Sequence, residues 1–360
     1  MRSPSGVTGT PLLTTAACGS GGDTDAASEH ARGEVVVATQ AAPASLDFTT
    51  TGGAAVPQAM MGNVYETLVR IDESGKPQPF LATSWEESTD GTEYTFHLRD
   101  DVAFADGTPF DADTAAFSIN YVKDQWTNGL KSQMAPVREA VSVDKHTLRV
   151  TLDSPSPDWL WSMGTLTGAM MAPASVDRLA TDPLGTGPYV VDNFRVGEAI
   201  EFSAREDYWG EPAEHDAKIR YFDDSIAAVN ALRTGDADVV WAMQAPQLID
   251  ALPDDITVDI GTTNGEVLFS MNNNRAPFDD PDVRRAAAFA IDRAAVNRVV
   301  YNGLATDTGG APVPPTDPWY TGENYYPYDP ERARELLGGR APEITITVPN
   351  LPYAQTASEL

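Results

Sequence analysis

The chain is long, acidic and nearly free of cysteine, and these features exclude several classes of protein. Its 360 residues exceed the roughly 250 to 300 at which one hydrophobic core stops growing, so two or more lobes are expected. A formal net charge of −29 argues against a nucleic-acid partner. The acidity fits either a cleft that steers cationic ligands or a solvated surface. The single cysteine, Cys18, permits neither an intrachain disulfide nor a cysteine metal cluster.

The first residues have the pattern of an exported protein. Residues 11–22 (PLLTTAACGSGG) join a short apolar run, small residues, Cys18 and a glycine/serine tether. This order resembles a bacterial lipobox, in which Cys18 becomes the lipidated first residue; the alternative is an incidental leader cysteine. Thr15 departs from the aliphatic residue that the motif prefers. Residues 19–33 predict a flexible spacer.

The next part of the chain predicts strands and one capped helix. Glu34–Thr39 (EVVVAT) is a β-branched run typical of a strand buried on both faces. The Asp90-Gly91 pair predicts the turn of a hairpin whose second strand buries alternate residues. Asp111 or Asp113 is expected to cap a helix that follows. A second hairpin is expected across residues 141–152, turning at Asp144.

An aromatic patch follows the second hairpin. Trp159, Leu160, Trp161 and Met163 fall within five positions. Core packing is the favoured interpretation, and lining of a cleft is the alternative.

Residues 184–212 combine a turn, a hairpin and two rings. Gly185–Tyr189 (GTGPY) predicts a tight loop that leads into a strand, because Pro188 fixes its own φ and holds Gly187 extended. Two apolar runs around residues 195–198 predict an antiparallel hairpin. Tyr208 and Trp209 then supply large rings to seal the hairpin against a core.

A βαβ unit is predicted after this hairpin. Lys218–Phe222 predicts a strand, Asp224 a helix cap, Gly235 the helix end and Asp236–Trp241 a second strand. The default for such a unit is a right-handed crossover between parallel strands. Ligands of such sheets bind beyond the carboxyl ends of the strands, where residues 241–244 (WAMQ) lie.

The last part alternates predicted strands and helices. Strands are expected at Glu266–Met271 and Glu343–Val348. Helices are expected after Asp280 and Asp292, and over Glu331–Leu337.

The sequence shows no recognisable catalytic apparatus. Its histidines (His30, His97, His146 and His215) are scattered singly, and it has no nucleophile elbow and no phosphate-binding loop. With so many acidic residues a glycosidase-like carboxylate pair stays possible, but none stands out. We expect a protein that is not an enzyme, with no cofactor and no metal.

Four stretches together resemble the extracytoplasmic solute-binding proteins of the peptide/nickel class, solute-binding family 5, which capture ligands for ABC importers. They are Gly185–Tyr189 with Tyr208–Gly210, Phe96–Arg99 with Asp106–Phe110, Ala231–Asp238, and Val283–Arg293. The resemblance implies an α/β, two-lobed fold of the periplasmic-binding-protein type II. It further implies an extra mixed subdomain in lobe I and an incomplete second lobe.

The resemblance also implies a division of the chain. Residues 1–33 are expected to be export leader, lipobox and flexible linker, 34–50 plus 178–270 the lobe I core, 51–177 the subdomain Ib, and 271–360 a truncated lobe II. In the family the chain continues through lobe II and returns to lobe I, so a C-terminally truncated fragment is expected.

Candidate ligand contacts follow from the same resemblance and, for Trp241 and Met243, from their place beyond the carboxyl end of a predicted strand. They are Thr39, Gln40, Trp241, Met243, Asn272 and Asn273. Four of the six have a structural alternative: Gln40 as a solvated loop residue, Trp241 as core or rim packing, and the two asparagines as caps of the crossover between lobes.

The implied function is capture of an oligopeptide, dipeptide or similar polar solute for a membrane permease of an ABC importer. The protein is expected to be an extracytoplasmic, lipid-anchored monomer without a nucleic-acid partner. Two alternatives stay open: a secreted hydrolase, and a ligand-binding surface receptor without transport. Peptides, nickel complexes and oligosaccharides are all compatible with the scaffold.

Overall fold

In the part of the chain that the structure describes, the fold is mixed α/β and the strands form three separate sheets. The computed structural model describes residues 33–261, 265–317, 319–349 and 352–360. The strands are β1 Glu34–Thr39, β2 Val69–Ile71, β3 Pro77–Pro79, β4 Ala82–Glu87, β5 Glu93–Leu98, β6 Val137–Asp144, β7 Thr147–Leu152, β8 Tyr189–Arg195, β9 Ala199–Ala204, β10 Asp216–Tyr221 and β11 Val239–Val240. The helices are α1 Ala55–Met60, α2 Ala112–Gln125, α3 Trp159–Ser162, α4 Ser225–Thr234, α5 Pro281–Ala290, α6 Arg293–Val300, α7 Pro330–Leu337 and α8 Pro352–Glu359.

The first sheet has five strands in the order β11-β1-β10-β9-β8. Strand β1 runs parallel to both β10 and β11, whereas β10, β9 and β8 pair antiparallel. The predicted βαβ unit is therefore confirmed, with β1 inserted between its two strands. The hairpin predicted around residues 195–198 is confirmed as β8 and β9, and Gly197 turns it with a positive φ of 74°.

Strand β1 is buried less than its sequence predicts. Ala38 is fully buried against Ala228 and Ala231 of α4, but Val35 and Val37 are only half-buried. The prediction of burial on both faces is therefore wrong for one face. The reason is tertiary: α4 covers one side of the sheet, and the other side lines an open groove.

The second sheet has four strands in the order β4-β5-β7-β6 and carries the main core. Both hairpins predicted for this region are confirmed, and Tyr94, Phe96 and Leu98 alternate inward along β5. Trp159 is buried against Tyr94 and Phe96, with ring centroids 5.0 and 6.2 Å away. Core packing is thus confirmed for Trp159.

Helix α2 packs on this sheet and begins at the predicted cap. The Asp111 side chain accepts from the backbone N–H groups of Asp113 and Thr114, and the Asp111 N–H donates to Thr114 Oγ1 at 2.9 Å. This reciprocal capping box satisfies donors that have no partner within the helix.

Replacing Asp111 by alanine should lower the free energy of unfolding by about 1 kcal/mol, because it removes the cap. The same change at Asp124, at the opposite end of α2, should cost less, since a carboxylate is unfavourable at a helix C-terminus. Urea denaturation of the two variants measures the difference. Equal losses would contradict this role for Asp111.

Two predicted strands do not form. Residues 266–271 and 343–348 have no regular secondary structure and pair with no strand in the described part of the chain. Their apolar side chains stay exposed, including Val267 at 60% and Ile346 at 45%. These predictions were wrong because β propensity only becomes a strand where a neighbouring ladder supplies the partner.

The helices predicted for the last part are confirmed. Asp280 caps α5, Asp292 caps α6 and Asp329 caps α7, each by accepting a backbone N–H. Gly338 ends α7 in the left-handed conformation. Local capping chemistry was sufficient to place these helix ends.

Candidate functional site

A groove of about 430 Å³ lies along the uncovered face of the first sheet. Its floor consists of three cross-strand pairs between β1 and β10: Val35 with Ala217, Val37 with Ile219, and Thr39 with Tyr221. Because side chains alternate along a strand, these pairs share one face. The floor is apolar at its amino end and carries two hydroxyl groups at its carboxyl end.

The walls of the groove come from several other parts of the chain, including Phe202 of β9 and residues 213–215. One wall is formed by Gln58 and Ala59 of α1 and by Asn63 just after it. Tyr189 of β8 stands at the same wall, and Trp241 borders the groove just after β11. Tyr189 and Asn63 lie level with His215, near the amino end of β10. The carboxyl ends of the parallel strands, where an α/β sheet usually binds its ligand, open onto the hydroxyl groups of Thr39 and Tyr221 and the indole of Trp241.

The structure brings two of the candidate contacts to this groove. Thr39 and Trp241 both line it, and the Trp241 side chain is exposed. Gln40 does not: its Oε1 accepts from Ser225 Oγ at 2.9 Å, at the start of α4 on the other side of the sheet. Gln40 thus holds the helix that covers the opposite face.

The remaining candidates lie outside the groove lining. Met243 is half-buried, and Asn272 and Asn273 are exposed. Asn272 Oδ1 accepts from the Asn274 N–H at 3.1 Å, which is a local turn interaction. Cys18 lies outside the described residues.

Sequence reasoning missed the tyrosines and the α1 wall. Tyr221 follows Ile219 by two positions, so the period of a strand could have placed it beside Thr39 once the pairing of β1 with β10 was known. Asn63 and Gln58 carry no such signal, because they reach the groove only through the packing of a short helix.

The Tyr221 hydroxyl is a buried polar group on the floor of the groove. Its oxygen is buried and has no hydrogen-bond partner in the described part of the chain, and burial raises the pKa of the phenol. Tyr189, by contrast, donates its hydroxyl to the His215 carbonyl oxygen at 3.2 Å. A buried hydroxyl without a partner costs free energy, which a bound polar ligand could recover.

A buried carboxylate stands behind the wall at Asn63. Glu66 is 1% exposed, and its two oxygens accept from Thr186 Oγ1 at 2.8 Å, Tyr208 Oη at 2.7 Å and Trp209 Nε1 at 2.8 Å. Burial raises the pKa of Glu66, while these donors and the nearby Arg205 favour the ionised form. One carboxylate thereby joins two stretches that are more than a hundred residues away from it in sequence.

Arg205 and Arg99 complete this junction. The Arg205 guanidinium is buried and donates to the carbonyl oxygens of Gly187 and Ala103 at 3.1 and 3.3 Å. Arg99 lies over the Trp209 ring, 4.3 Å from its centroid, which is a favourable cation–π distance. The rings predicted to seal the hairpin therefore also hold a charged network.

Neither a metal centre nor a spanning helix is found in the part of the chain described here. No group of three or more histidine, cysteine, aspartate or glutamate side chains could hold a metal ion among residues 33–261, 265–317, 319–349 and 352–360. None of the described helices is long and apolar enough to cross a bilayer. The groove offers hydrogen-bonding groups and apolar surface, which suits binding.

Comparison with known proteins identifies the family. The profile of the bacterial extracellular solute-binding proteins, family 5, matches residues 76–338. The chain belongs to this family. Its relatives are solute-binding proteins of transporters and not enzymes, as the sequence predicted.

Two curated relatives of this family 5 chain have different ligands in their names. This chain is 31% identical over 305 residues to heme-binding protein A of Haemophilus influenzae. The aligned region covers 76% of this chain and 56% of that protein. The chain is 29% identical over 290 residues to the glutathione-binding protein GsiB of Escherichia coli, covering 78% and 56%. The chain thus spans little more than half the length of these relatives.

Solved structures of the family confirm the fold. The periplasmic binding protein DppA of Helicobacter pylori, in complex with the peptide STSA, superposes with a TM-score of 0.73 at 29% identity, covering 85% of this chain and 65% of that one. A dipeptide-binding protein of Pseudoalteromonas, in complex with Met-Leu, gives 0.72 at 26% identity, covering 84% and 66%. These neighbours are two-lobed binding proteins of type II, the architecture expected from the sequence.

Proposed function

We propose that this family 5 chain captures a peptide-like solute along the groove for delivery to an ABC permease. The buried Tyr221 hydroxyl beside Thr39 carries the proposal, because it has no hydrogen-bond partner in the described part of the chain and lies at the edge where ligands of α/β sheets bind. Trp241 supplies a flat apolar surface next to it. The peptide-bound structural neighbours support this class of ligand.

The finer parts of the proposal rest on the sequence. We place the protein outside the cytoplasm as a monomer, and assign it a lipid anchor on the lipobox pattern at Cys18. We assign residues 34–50 plus 178–270 to the core of lobe I, 51–177 to its subdomain and 271–360 to part of lobe II.

Titration calorimetry with the dipeptide Met-Leu and the tetrapeptide STSA tests the proposal. We expect binding of at least one peptide, and a roughly 5- to 10-fold higher Kd for Tyr221→Phe, which loses one hydrogen bond to the ligand. Tyr328→Phe is the matched control, since Tyr328 is exposed and lies outside the groove lining. If neither peptide gave heat while a nickel–histidine complex or an oligosaccharide bound, the peptide-like ligand class would be wrong and the class of the bound solute would take its place.

A further inference from the structure

The wall of the groove is held by a short antiparallel strap between residues 63–66 and 186–189. The Tyr189 N–H donates to the Asn63 carbonyl oxygen and the Gly187 N–H to the Val64 carbonyl oxygen, both at 2.9 Å. The third connection is a side-chain bond, from Thr186 Oγ1 to Glu66 Oε2. One end of the strap therefore contains the groove residues Asn63 and Tyr189, and the other end contains the buried Glu66 carboxylate.

The carbonyl oxygens of Gly187 and Pro188 accept from Arg205, from its Nη1 at 3.1 Å and its backbone N–H at 2.8 Å. Thr186 is the strap residue whose side chain reaches Glu66. Gly187 and Pro188 have no side chain that can hydrogen-bond, and Thr186 is fully buried with Glu66 as the acceptor of its hydroxyl. Tyr208 and Trp209 hold the same carboxylate from a third part of the chain. Hydrogen bonds to an ionised acceptor are stronger than neutral ones and hold their donors in a narrow geometry.

We propose that Glu66 is a positioning residue for ligand binding: through Thr186 it fixes the strap, and the strap places Asn63 and Tyr189 at the groove. Its effect on affinity rests on the proposed function, whereas its effect on the strap does not. Glu66 itself lies outside the groove lining, so it acts through the residues that it holds.

The matched variants Thr186→Val and Thr186→Ser separate this role from simple packing. Valine keeps the shape of threonine and loses the hydroxyl donor, whereas serine keeps the donor and loses a methyl group. If the bond to Glu66 positions the strap, valine is harmful and serine is tolerated. If Thr186 only fills space, the order is reversed.

Hydrogen exchange measured by mass spectrometry provides a readout that needs no ligand. In Thr186→Val and Glu66→Leu, the amides of Gly187 and Tyr189 should exchange about 10-fold faster, as expected for loss of a charge-assisted hydrogen bond. The amides of β5, residues 93–98, should keep their protection. Thr186→Ser and the surface control Glu139→Leu should stay within about 2-fold of the unmodified chain at both places.

Calorimetry with Met-Leu and STSA provides the second readout. The Kd should rise about 10-fold in Thr186→Val and stay within about 2-fold in Thr186→Ser. The positioning role would be overturned if exchange accelerated equally in the strap and in β5, or if only Thr186→Ser lost affinity for the peptides. If the unmodified chain binds neither peptide, the proposed function fails, while the exchange at Gly187 and Tyr189 still decides whether Glu66 holds the strap.

Discussion

Gly185→Ala is expected to lower the free energy of unfolding by about 3 kcal/mol or more, with a large loss of soluble protein. A Cβ at this position would overlap the carbonyl oxygen of Val64, and one at Gly187 would lie 2.5 Å from the Asn63 carbonyl oxygen. Both obstacles are backbone atoms, so no side chain can rotate away. Relief requires the strap itself to separate, which breaks the bond between the Gly187 N–H and Val64.

Gly129→Ala is the matched control for Gly185→Ala. A Cβ at Gly129 meets no atom within 4 Å, and the backbone there does not require a positive φ. Its stability should change by no more than about 0.5 kcal/mol. Urea denaturation of both variants gives the comparison, and similar losses in the two would show that the close approach at Gly185 is unimportant.

Trp159→Ala is expected to cost about 3 to 5 kcal/mol, because it leaves a large cavity in the main core. The indole is 1% exposed and contacts Tyr94 and Phe96 of the four-stranded sheet. Those rings lie on strand β5, which cannot shift without breaking its ladders with β4 and β7. The cavity therefore cannot close fully.

Trp161→Ala provides the comparison within the same helix α3. Trp161 is 45% exposed, so its removal should cost at most about 1 kcal/mol. Thermal unfolding followed by near-ultraviolet circular dichroism measures both variants. A larger loss for Trp161 than for Trp159 would reverse the assignment of core and surface in this patch.

Much of the local structure could be predicted from short patterns. Asp111, Asp224 and Asp292 cap the helices that their sequences indicate, and Gly235 ends α4 with a φ of 80°. These features depend on a side chain reaching a backbone group a few residues away, so they need no distant partner. The family resemblance came from the same kind of stretch, and the comparisons confirm it.

Features that need a distant partner were predicted poorly. Residues 266–271 and 343–348 have strand sequences and no strand, because no ladder meets them in the described part of the chain. One face of β1 is also left without a packing partner. Its sequence suits burial on both faces, but α4 packs against only one of them. In the candidate site, Thr39 and Trp241 could be placed near strand ends, whereas Gln58, Asn63 and Tyr221 could not.

The sequence by itself determined the helix ends, the hairpins, the parallel βαβ unit and the family, because each depends on residues that are close together in the chain. Only the tertiary structure decided that Glu66 accepts hydrogen bonds from Thr186, Tyr208 and Trp209. It also decided that Thr39 and Tyr221 lie side by side in one groove. Those contacts join residues more than a hundred positions apart, and their formation depends on packing that no local pattern encodes.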